Sequence, residues 1–349
     1  MAPLRVGVIG VGFGATVHIP AFQSEGIDVV AVCAEHRERA EETSARFQIP
    51  GIYDNYRDLL KHPDLEAISV VTAPRLHYEM TLASLEAGVH VLCEKPFTID
   101  TAQALQLETK VRETNLTGMI AHEFRFAPQR AFVKHLIQQG YIGDPTHLAV
   151  TMFLSFQGRP GIRRSPSVGS RGVLGALGSH FIDCMRDWFG DIVDVSGRLF
   201  GPSIDGFSLS DTNNAFQFDV QFANGAWGSM VSSFASPLGS GARLEIYGTE
   251  GSLQLSQIGP NPDQEGKVFG GRSGEDEGIR EIPIPGEFRP FDDDRDPRMM
   301  PFRLLTKRFL SSIETGTSLA PNFYDGLQCQ RVMDSIVAAH ESGSRVAIS

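Results

Sequence analysis

The chain has 349 residues, of which 41% are hydrophobic and 21% are charged, a length that is large for one hydrophobic core and suits two domains. Its 31 Lys and Arg residues against 42 Asp and Glu residues give a formal net charge of −11. This acidic balance disfavours nucleic acid and anionic membranes as partners, because a protein that binds a phosphate backbone needs a basic surface.

The first predicted strand, Arg5–Ile9, leads directly into a glycine-rich turn. Gly10, Gly12 and Gly14 are followed by Ala15, which fills the third small position of the G-x-G-x-x-G/A pattern. The first glycine permits a tight turn, and the second lets the backbone approach a pyrophosphate at the N-terminus of the next helix. Because a helix and a second strand follow, we predict a dinucleotide site.

Up to about residue 120, short apolar runs alternate with helical periodicity. This alternation is typical of a parallel sheet covered by helices on both faces. The predicted strands are Arg5–Ile9, Val29–Cys33, Ala67–Val71, His90–Leu92 and Thr117–Ala121, and the predicted helices lie near Thr16–Gln23, Arg37–Phe47, Tyr56–Lys61, His77–Ala87 and Thr101–Thr114. Asp100 is predicted to cap the last of these helices, because a carboxylate can accept the unpaired N–H groups of a first turn.

The residues after the second strand bear on the choice between NAD and NADP. An acidic residue there accepts the ribose hydroxyls of NAD and repels a 2′-phosphate, whereas a small residue with a nearby arginine suits NADP. Ala34 and Glu35 stand at this point, and Arg37 and Arg39 follow. Both cofactors stay open, with a slight preference for NAD because Glu35 is within reach.

The motif Glu94-Lys95-Pro96 follows the predicted strand His90–Leu92. In an open parallel sheet the carboxyl ends of the strands face the ligand crevice, so we expect Lys95 to lie beside the dinucleotide. There its amine can transfer a proton or polarise a substrate oxygen. The alternative is that Lys95 pairs with Glu94 or binds a cofactor phosphate.

Beyond Phe126 the pattern changes to the alternation of antiparallel strands, which predicts an α+β region. The predicted strands are Thr146–Phe153, Ala215–Phe222, Ala226–Ser232, Arg243–Tyr247 and Glu281–Ile284, and the predicted helices are Pro301–Glu314 and Asn322–Glu341. Residues 257–300 are rich in Gly, Pro and charge. We interpret them as a disordered connection rather than as an active-site or interface loop.

The cellular compartment is predicted from the N-terminus and the cysteines. The first residues lack the parts of a signal peptide, and no apolar run reaches the roughly 18 residues of a membrane span. Cys33, Cys93, Cys184 and Cys329 contain no C-x-x-C pair, which is typical of a reducing compartment. We therefore expect a cytoplasmic protein, and we predict no metal site.

Five segments resemble the Gfo/Idh/MocA oxidoreductases along nearly the whole chain. They are Gly10–Ala15, Thr72–Pro74 with His77, Gly88–Pro96, Phe124–Pro128 and Gly178–Asp183. The E-K-P motif and the later G-x-H-x-x-D motif are more specific to this family than the glycine motif. The resemblance implies an α/β fold, with an N-terminal Rossmann domain in residues 1–122. A C-terminal α+β domain in residues 123–349 would carry a large open, mainly antiparallel sheet, and the final helices could pack back on the first domain.

The resemblance also implies an activity and a set of site residues. Family members transfer a hydride to or from a carbinol carbon of a sugar, cyclitol or related small polyol, and they form homodimers or homotetramers. Lys95 and His180 are the implied catalytic pair, meeting across the nicotinamide, with Asp183 on the same helical face as His180 to orient the imidazole. The predicted cofactor residues are Gly10, Gly12, Phe13, Gly14, Ala15, Ala34, Glu35, Arg39, Thr72, Pro74, His77, Glu94 and Lys95.

The chain departs from the family pattern D-x-G-x-H. Ala176 stands four residues before His180, where the pattern has an acid. Either His180 works with Lys95 alone, or another acid substitutes, or the reaction is not an ordinary carbinol oxidation. Glu123 is the candidate substitute, at a position where the family usually has Asn, although a solvated Glu123 paired with Arg125 is the favoured interpretation.

The predicted substrate residues are Arg125, Arg163 and Arg164, together with His180. Paired guanidinium groups suit a carboxylate or phosphate, although a solvated basic loop fits Arg163 and Arg164 equally well. Three function classes stay open. The leading one is a nicotinamide-dependent dehydrogenase or reductase, the second a redox-assisted lyase or glycosidase with tightly held NAD, and the third a cofactor-binding sensor without catalysis.

Overall fold

A computed structural model of the protein describes residues 2–155, 171–201, 214–257 and 266–348. The chain divides into two compact units. Unit 1 comprises Met1–Glu123 and Asp293–Gln330, and unit 2 comprises Phe124–Asp292 and Arg331–Ser349. The predicted substrate residues Arg163 and Arg164 lie outside the described residues.

Unit 1 contains a six-stranded parallel sheet. Its strands are β1 (Arg5–Ile9), β2 (Asp28–Cys33), β3 (Gly51–Tyr53), β4 (Ala67–Val70), β5 (His90–Cys93) and β6 (Gly118–Ile120). The order β3-β2-β1-β4-β5-β6 is that of a Rossmann fold. The four residues of β4 are all buried, as expected for strands covered on both faces. The predicted Rossmann sheet is confirmed.

The helices of both units follow in chain order. They are α1 (Ile19–Ser24), α2 (Arg37–Phe47), α3 (Tyr56–Leu59), α4 (Pro74–Glu86), α5 (Thr101–Thr114), α6 (Pro128–Gln138), α7 (Ser179–Phe189), α8 (Met299–Thr315) and α9 (Phe323–Ser342). Two of them, α1 and α7, are preceded by π-helical turns, Gly14–His18 and Leu174–Gly178. The predicted cap of α5 is confirmed, because the Asp100 carboxylate accepts from the Gln103 backbone N–H at 2.8 Å.

Unit 2 contains a nine-stranded sheet. Its strands are β7 (Pro145–Phe153), β8 (Ile192–Phe200), β9 (Ala215–Phe222), β10 (Trp227–Ser233), β11 (Gly241–Gly248), β12 (Gly251–Gln257), β13 (Lys267–Arg272), β14 (Arg280–Ile282) and β15 (Val346–Ala347). The order is β14-β13-β12-β11-β7-β10-β9-β8-β15. Among these described strands β7 and β10 run parallel and the other neighbours antiparallel, which confirms the predicted mainly antiparallel sheet.

The interpretation of residues 257–300 as a disordered connection is wrong for the part that the structure describes. β13 and β14 are two strands at the edge of the nine-stranded sheet, and Asp293–Gln330 belongs to unit 1. Arg303 donates to Asp293 at 3.1 Å and to the distant Glu25 at 2.7 Å. The pairing with Glu25 joins residues far apart in the chain, so composition alone does not predict it.

No helix within the described ranges combines the length and the apolar character needed to cross a bilayer.

Candidate active site

The glycine turn after β1 has two glycines with different roles. Gly10 has φ +102°, and a Cβ atom there would lie 2.1 Å from the Val71 carbonyl oxygen, so the fold itself requires glycine. Gly12 is exposed, and a Cβ atom built on it meets nothing within 4 Å. The space beside Gly12 is therefore open to a ligand. The turn fits a dinucleotide, because backbone can approach the pyrophosphate closely at Gly12.

The segments that follow β1, β2, β4, β5 and β6 all begin at the carboxyl edge of the parallel sheet. Backbone hydrogen bonds join their first residues across the strands, from Gly10 N–H to Cys33 O at 2.8 Å and from Ala121 N–H to Cys93 O at 2.8 Å. The predicted cofactor residues of these segments therefore share one edge, as the Rossmann fold requires.

At the end of β2, Ala34 is buried, whereas Glu35 and Arg39 are exposed. The guanidinium of Arg37 lies 3.0 Å from Glu41 and 3.9 Å from Asp54. Arg37 is thus held by two carboxylates on the surface of unit 1.

Glu94, which precedes Lys95, is held in a buried hydrogen-bonded chain. His18 Nε2 lies 3.0 Å from Glu94 Oε1, and His18 Nδ1 lies 2.7 Å from the Ser69 hydroxyl. The imidazole is fully buried, and its centroid is 4.2 Å from that of Phe302. Glu94 Oε2 accepts from the Lys95 backbone N–H at 3.1 Å. His18 therefore orients the carboxylate that adjoins Lys95.

The electrostatics of Glu94 favour its ionised form. Burial alone would raise the pKa of Glu94, but the hydrogen bond from His18 and the charges of His18 and Lys95 outweigh it, so its pKa lies below the usual value. Lys95 itself is half-buried. A partly accessible amine thus lies next to a fixed carboxylate, an arrangement suited to polar chemistry on a ligand.

His77, a predicted cofactor residue, contacts two backbone carbonyl groups of unit 1. The ring is fully buried, with one nitrogen 2.9 Å from the Pro96 carbonyl oxygen and the other 3.0 Å from the Thr72 carbonyl oxygen. Burial lowers the pKa of His77, although the two carbonyl partners favour the doubly protonated ring. His77 joins the start of α4 to the segment after Lys95, and we regard it as a positioning residue.

Glu123 is buried, with 3% of its surface exposed, at the start of the turn that follows β6. The interpretation of Glu123 as a solvated carboxylate is therefore wrong. Burial, together with the negative charge of Glu94, raises the pKa of Glu123 to about 8, although Lys95 and Arg298 oppose the shift. Glu94 and Glu123 thus follow neighbouring strands, and their pKa values are shifted in opposite directions.

Arg298, at the start of α8, contacts the glycine turn. Its guanidinium lies 4.5 Å from the centroid of the Phe13 ring, and Asp296 accepts from it at 2.7 Å. The ring of Phe13 also packs edge-on against Phe302, with centroids 6.4 Å apart. This contact brings a positive charge to the predicted pyrophosphate site. Sequence reasoning missed Arg298, because nothing in its local pattern points to the glycine turn.

In unit 2, His180 is 2% exposed and lies in the first turn of α7. Its ring stacks on that of Phe124, with centroids 3.8 Å apart and an interplanar angle of 10°. The π-helical turn Leu174–Gly178 comes directly before α7, and such turns are frequent at functional sites. Ala176, in that turn, is exposed. A carboxylate at position 176 would therefore face solvent in the ligand-free protein rather than being buried.

Asp183 and Arg125, two predicted site residues, are joined by an ion pair within unit 2. Arg125 donates two hydrogen bonds to Asp183, both at 2.6 Å, and a third to Asp187 at 2.9 Å. Asp183 is fully buried. Arg125 is thus bound to these two acids within unit 2, and its contact with a substrate stays a prediction. The guanidinium and the two carboxylates together hold α7 to the segment after Phe124.

Comparison with protein families adds the decisive observation. Residues 4–122 match the model described as oxidoreductase family, NAD-binding Rossmann fold. Residues 131–254 match the model of the GFO/IDH/MocA C-terminal domain. The chain belongs to the Gfo/Idh/MocA oxidoreductase family. Its first unit is therefore a nicotinamide-dinucleotide-binding Rossmann fold, as the glycine turn predicted.

Several characterised relatives of this Gfo/Idh/MocA protein are similar over much of their length. Levoglucosan dehydrogenase of Pseudarthrobacter phenanthrenivorans is 27% identical over 392 residues, which cover 98% of this chain and 98% of that protein. The scyllo-inositol 2-dehydrogenase (NAD(+)) of Bacillus subtilis is 28% identical over 261 residues, which cover 73% of this chain and 74% of that protein.

A solved structure of levoglucosan dehydrogenase in complex with NADH and L-sorbose has a TM-score of 0.88 at 24% identity and covers 100% of both chains. This likeness shows that the two proteins share a fold. Within the present family member Lys95 lies in unit 1 and His180 in unit 2, and their action as one catalytic pair stays a prediction.

Proposed function

We propose that this oxidoreductase is an NAD(P)-dependent dehydrogenase that transfers a hydride to or from a carbinol carbon of a sugar, cyclitol or related small polyol. The observation that carries the proposal is Lys95, a half-buried residue at the carboxyl edge of the Rossmann sheet whose backbone N–H donates to the buried Glu94 carboxylate. The names of the characterised relatives, which include D-apiose dehydrogenase, support sugars and cyclitols as the substrate class.

The proposed roles follow from the chemistry of each group. Bound NAD(P) supplies the acceptor or donor of the hydride. Lys95 takes the hydroxyl proton during oxidation, or polarises the carbonyl oxygen during reduction. His180 is the second proposed acid–base group, because neutral imidazole can accept a proton at physiological pH. Residues of unit 1 bind the cofactor, and residues 123–349 provide the substrate site.

We propose NAD as the preferred cofactor. Glu35 is exposed at the end of β2, where it can accept the ribose hydroxyls and repel a 2′-phosphate. Arg37 is paired with Glu41 and Asp54, which reduces its capacity to attract a phosphate. Calorimetric titration with NADH and NADPH tests this choice, and tighter binding of NADPH would contradict it.

Turnover of a polyol panel tests the proposed reaction. The panel contains levoglucosan, scyllo-inositol and apiose, and the appearance of reduced nicotinamide is followed by absorbance. Lys95→Gln should lower turnover about hundredfold or more, because general acid–base groups contribute that much. Lys61→Gln, at an exposed lysine of the same unit, is the matched control. Retention of turnover within about tenfold in Lys95→Gln would contradict the assignment, since it falls short of the expected contribution.

The same assay separates the other function classes. A substrate that is cleaved without net reduction of the cofactor would indicate a redox-assisted lyase or glycosidase. Binding of NADH with no turnover of any polyol would indicate a sensor. If Lys95 and His180 serve one proton transfer, the double variant should lose no more activity than the worse single variant, because groups that act as a unit are not additive.

We also propose a homo-oligomer that uses the nine-stranded sheet. Trp227 is 49% exposed, and Val231, on the same strand, is 39% exposed. The ring of His147 stacks between those of Trp227 and Tyr247, with centroids 4.9 Å and 4.6 Å apart. An exposed aromatic row of this kind suits a protein interface. Sedimentation of Trp227→Glu should show smaller particles than the parent, with Gln138→Glu, at an exposed residue of α6, as the control.

The predicted reducing compartment remains a proposal. All four cysteines are buried thiols, and burial raises the pKa of Cys93 to about 12, so these residues behave as small apolar side chains. This supports a protein that stays in a reducing environment.

A further inference from the structure

Glu123 is a buried carboxyl group that the proposed reaction has not yet used. It follows β6, which pairs with β5, and the Ala121 N–H donates to Cys93 O at 2.8 Å, so the segments that carry Glu123 and Lys95 leave neighbouring strands at the same sheet edge. The charged groups that act on Glu123 within unit 1 are Glu94 and Lys95, after β5, and Arg298, at the start of α8. Glu123 thus lies among one carboxylate and two cations.

The two carboxyl groups around Lys95 have different environments. Glu94 is hydrogen-bonded to His18 and to the Lys95 backbone N–H, and both contacts favour its ionised form. Glu123 is buried beside the charge of Glu94, and two carboxylates in one region resist simultaneous ionisation. When the environments of two titratable groups push their pKa values apart, their acid and base roles can be assigned.

We propose that Glu123 is the proton-exchange partner of Lys95. The inference rests on the proposed dehydrogenase function. Bound NAD(P)⁺ would accept the carbinol hydride. During oxidation the Lys95 ammonium first gives a proton to the Glu123 carboxylate, and the neutral amine then takes the substrate O–H proton. Protonated Glu123 releases its proton to water. Reduction runs these steps in reverse, with protonated Glu123 as the source.

This exchange has a direction that depends on pH. Because the pKa of Glu123 is about 8, the group is mostly protonated at pH 7 and mostly ionised at pH 9. Oxidation needs the ionised form as proton acceptor, so its kcat/KM should rise through pH 8. Reduction needs the protonated form, so its kcat/KM should fall through the same range. Glu94 stays ionised throughout and serves to position Lys95.

Infrared titration of the cofactor-free protein tests the inference without turnover. A protonated carboxylic acid has a carbonyl stretch that an ionised carboxylate lacks. Among the described carboxyl groups with a resolved shift, Glu123 has a raised pKa, and Glu79, Glu94, Asp293 and Asp296 have lowered ones. The parent should therefore lose one acid band near pH 8. Glu123→Gln should lack this band, and Glu108→Gln, at a buried carboxylate paired with Arg112, should retain it.

A second variant tests the coupling of Glu123 to Lys95. Lys95→Gln removes a positive charge that lowers the pKa of Glu123, so the midpoint of the acid band should move above pH 8. An unchanged midpoint, or an acid band that persists in Glu123→Gln, would overturn the inference. These measurements need neither cofactor nor substrate, so a failure of the proposed function would be seen separately, as a loss of NADH binding or of polyol turnover in the parent.

The pH profile of turnover tests the role of Glu123 in the working enzyme. Glu123→Gln should lower kcat about hundredfold and remove the inflection near pH 8, whereas Glu123→Asp should keep the inflection. A Glu123→Gln enzyme with the parent pH profile would overturn the relay.

Discussion

His18 Nε2 lies 3.0 Å from Glu94 Oε1, which joins the helix after the glycine turn to the segment that carries Lys95. The pair is buried, and the second ring nitrogen of His18 lies 2.7 Å from the Ser69 hydroxyl on β4. Three neighbouring strand ends of the Rossmann sheet are thereby connected through one imidazole. The position of Lys95 depends on a residue that is not expected to touch substrate or cofactor.

Replacement of His18 by Leu should destabilise the protein by about 3 kcal/mol at pH 7, because the buried Glu94 carboxylate would lose its donor. Since the folded-state pKa of Glu94 lies below its usual value, Glu94 contributes stability at neutral pH that is lost as the pH falls through the folded pKa. The variant should therefore lose less stability on acidification than the parent. Urea unfolding between pH 4 and pH 7 measures both effects, with His36→Leu, at an exposed histidine, as the control.

Gly12→Val should abolish the binding of NADH and leave the fold intact. A Cβ atom at Gly12 meets no protein atom within 4 Å, but a valine side chain would occupy the space that the pyrophosphate needs. Gly278, which is equally open to a Cβ atom, provides the control variant Gly278→Val. Calorimetry measures the affinity and circular dichroism the fold. Parent-like affinity in folded Gly12→Val would remove the basis for placing the dinucleotide at this turn.

Arg298→Ala should weaken the binding of NADH about tenfold, because a charge-assisted hydrogen bond contributes about 1.5–3 kcal/mol. The guanidinium lies over Phe13 in the glycine turn, where the cofactor carries its negative charges. The loss should be smaller at high ionic strength, since salt screens the charge in the parent. Arg308→Ala, at an exposed arginine of the same helix, should bind as the parent does. Equal affinities of the two variants would show that Arg298 only packs against Phe13.

Ala176→Asp should fold normally, with a change in the free energy of unfolding within about 0.5 kcal/mol, because position 176 is exposed. If Glu123 already serves as the acid, the substitution should not raise activity on common polyols. Thermal unfolding and the polyol assay measure the two outcomes. A clear gain of turnover would indicate a simple loss of the family acid.

The sequence predicted those parts of the protein whose signals are local. The strand Arg5–Ile9, the helix Arg37–Phe47 and the Asp100 cap were predicted with the boundaries that the structure has, because apolar periodicity and capping depend on neighbouring residues. The short strand β3 was missed, because its three residues are too few for periodicity. β8, β12 and β13 were also missed in the region of weaker patterns.

The sequence by itself determined the Rossmann unit, the dinucleotide turn and the place of Lys95 after a strand. The signals for these features, the glycine spacing and the alternation of strands with helices, lie in neighbouring residues. Only the tertiary structure decided the partners of the charged groups. Arg125 pairs with Asp183 and Asp187, which lie far from it in the sequence, and Arg298 contacts Phe13, which lies near the other end of the chain. The reason is physical, because the state of a buried charge depends on which distant groups the fold places around it and on how far they exclude water.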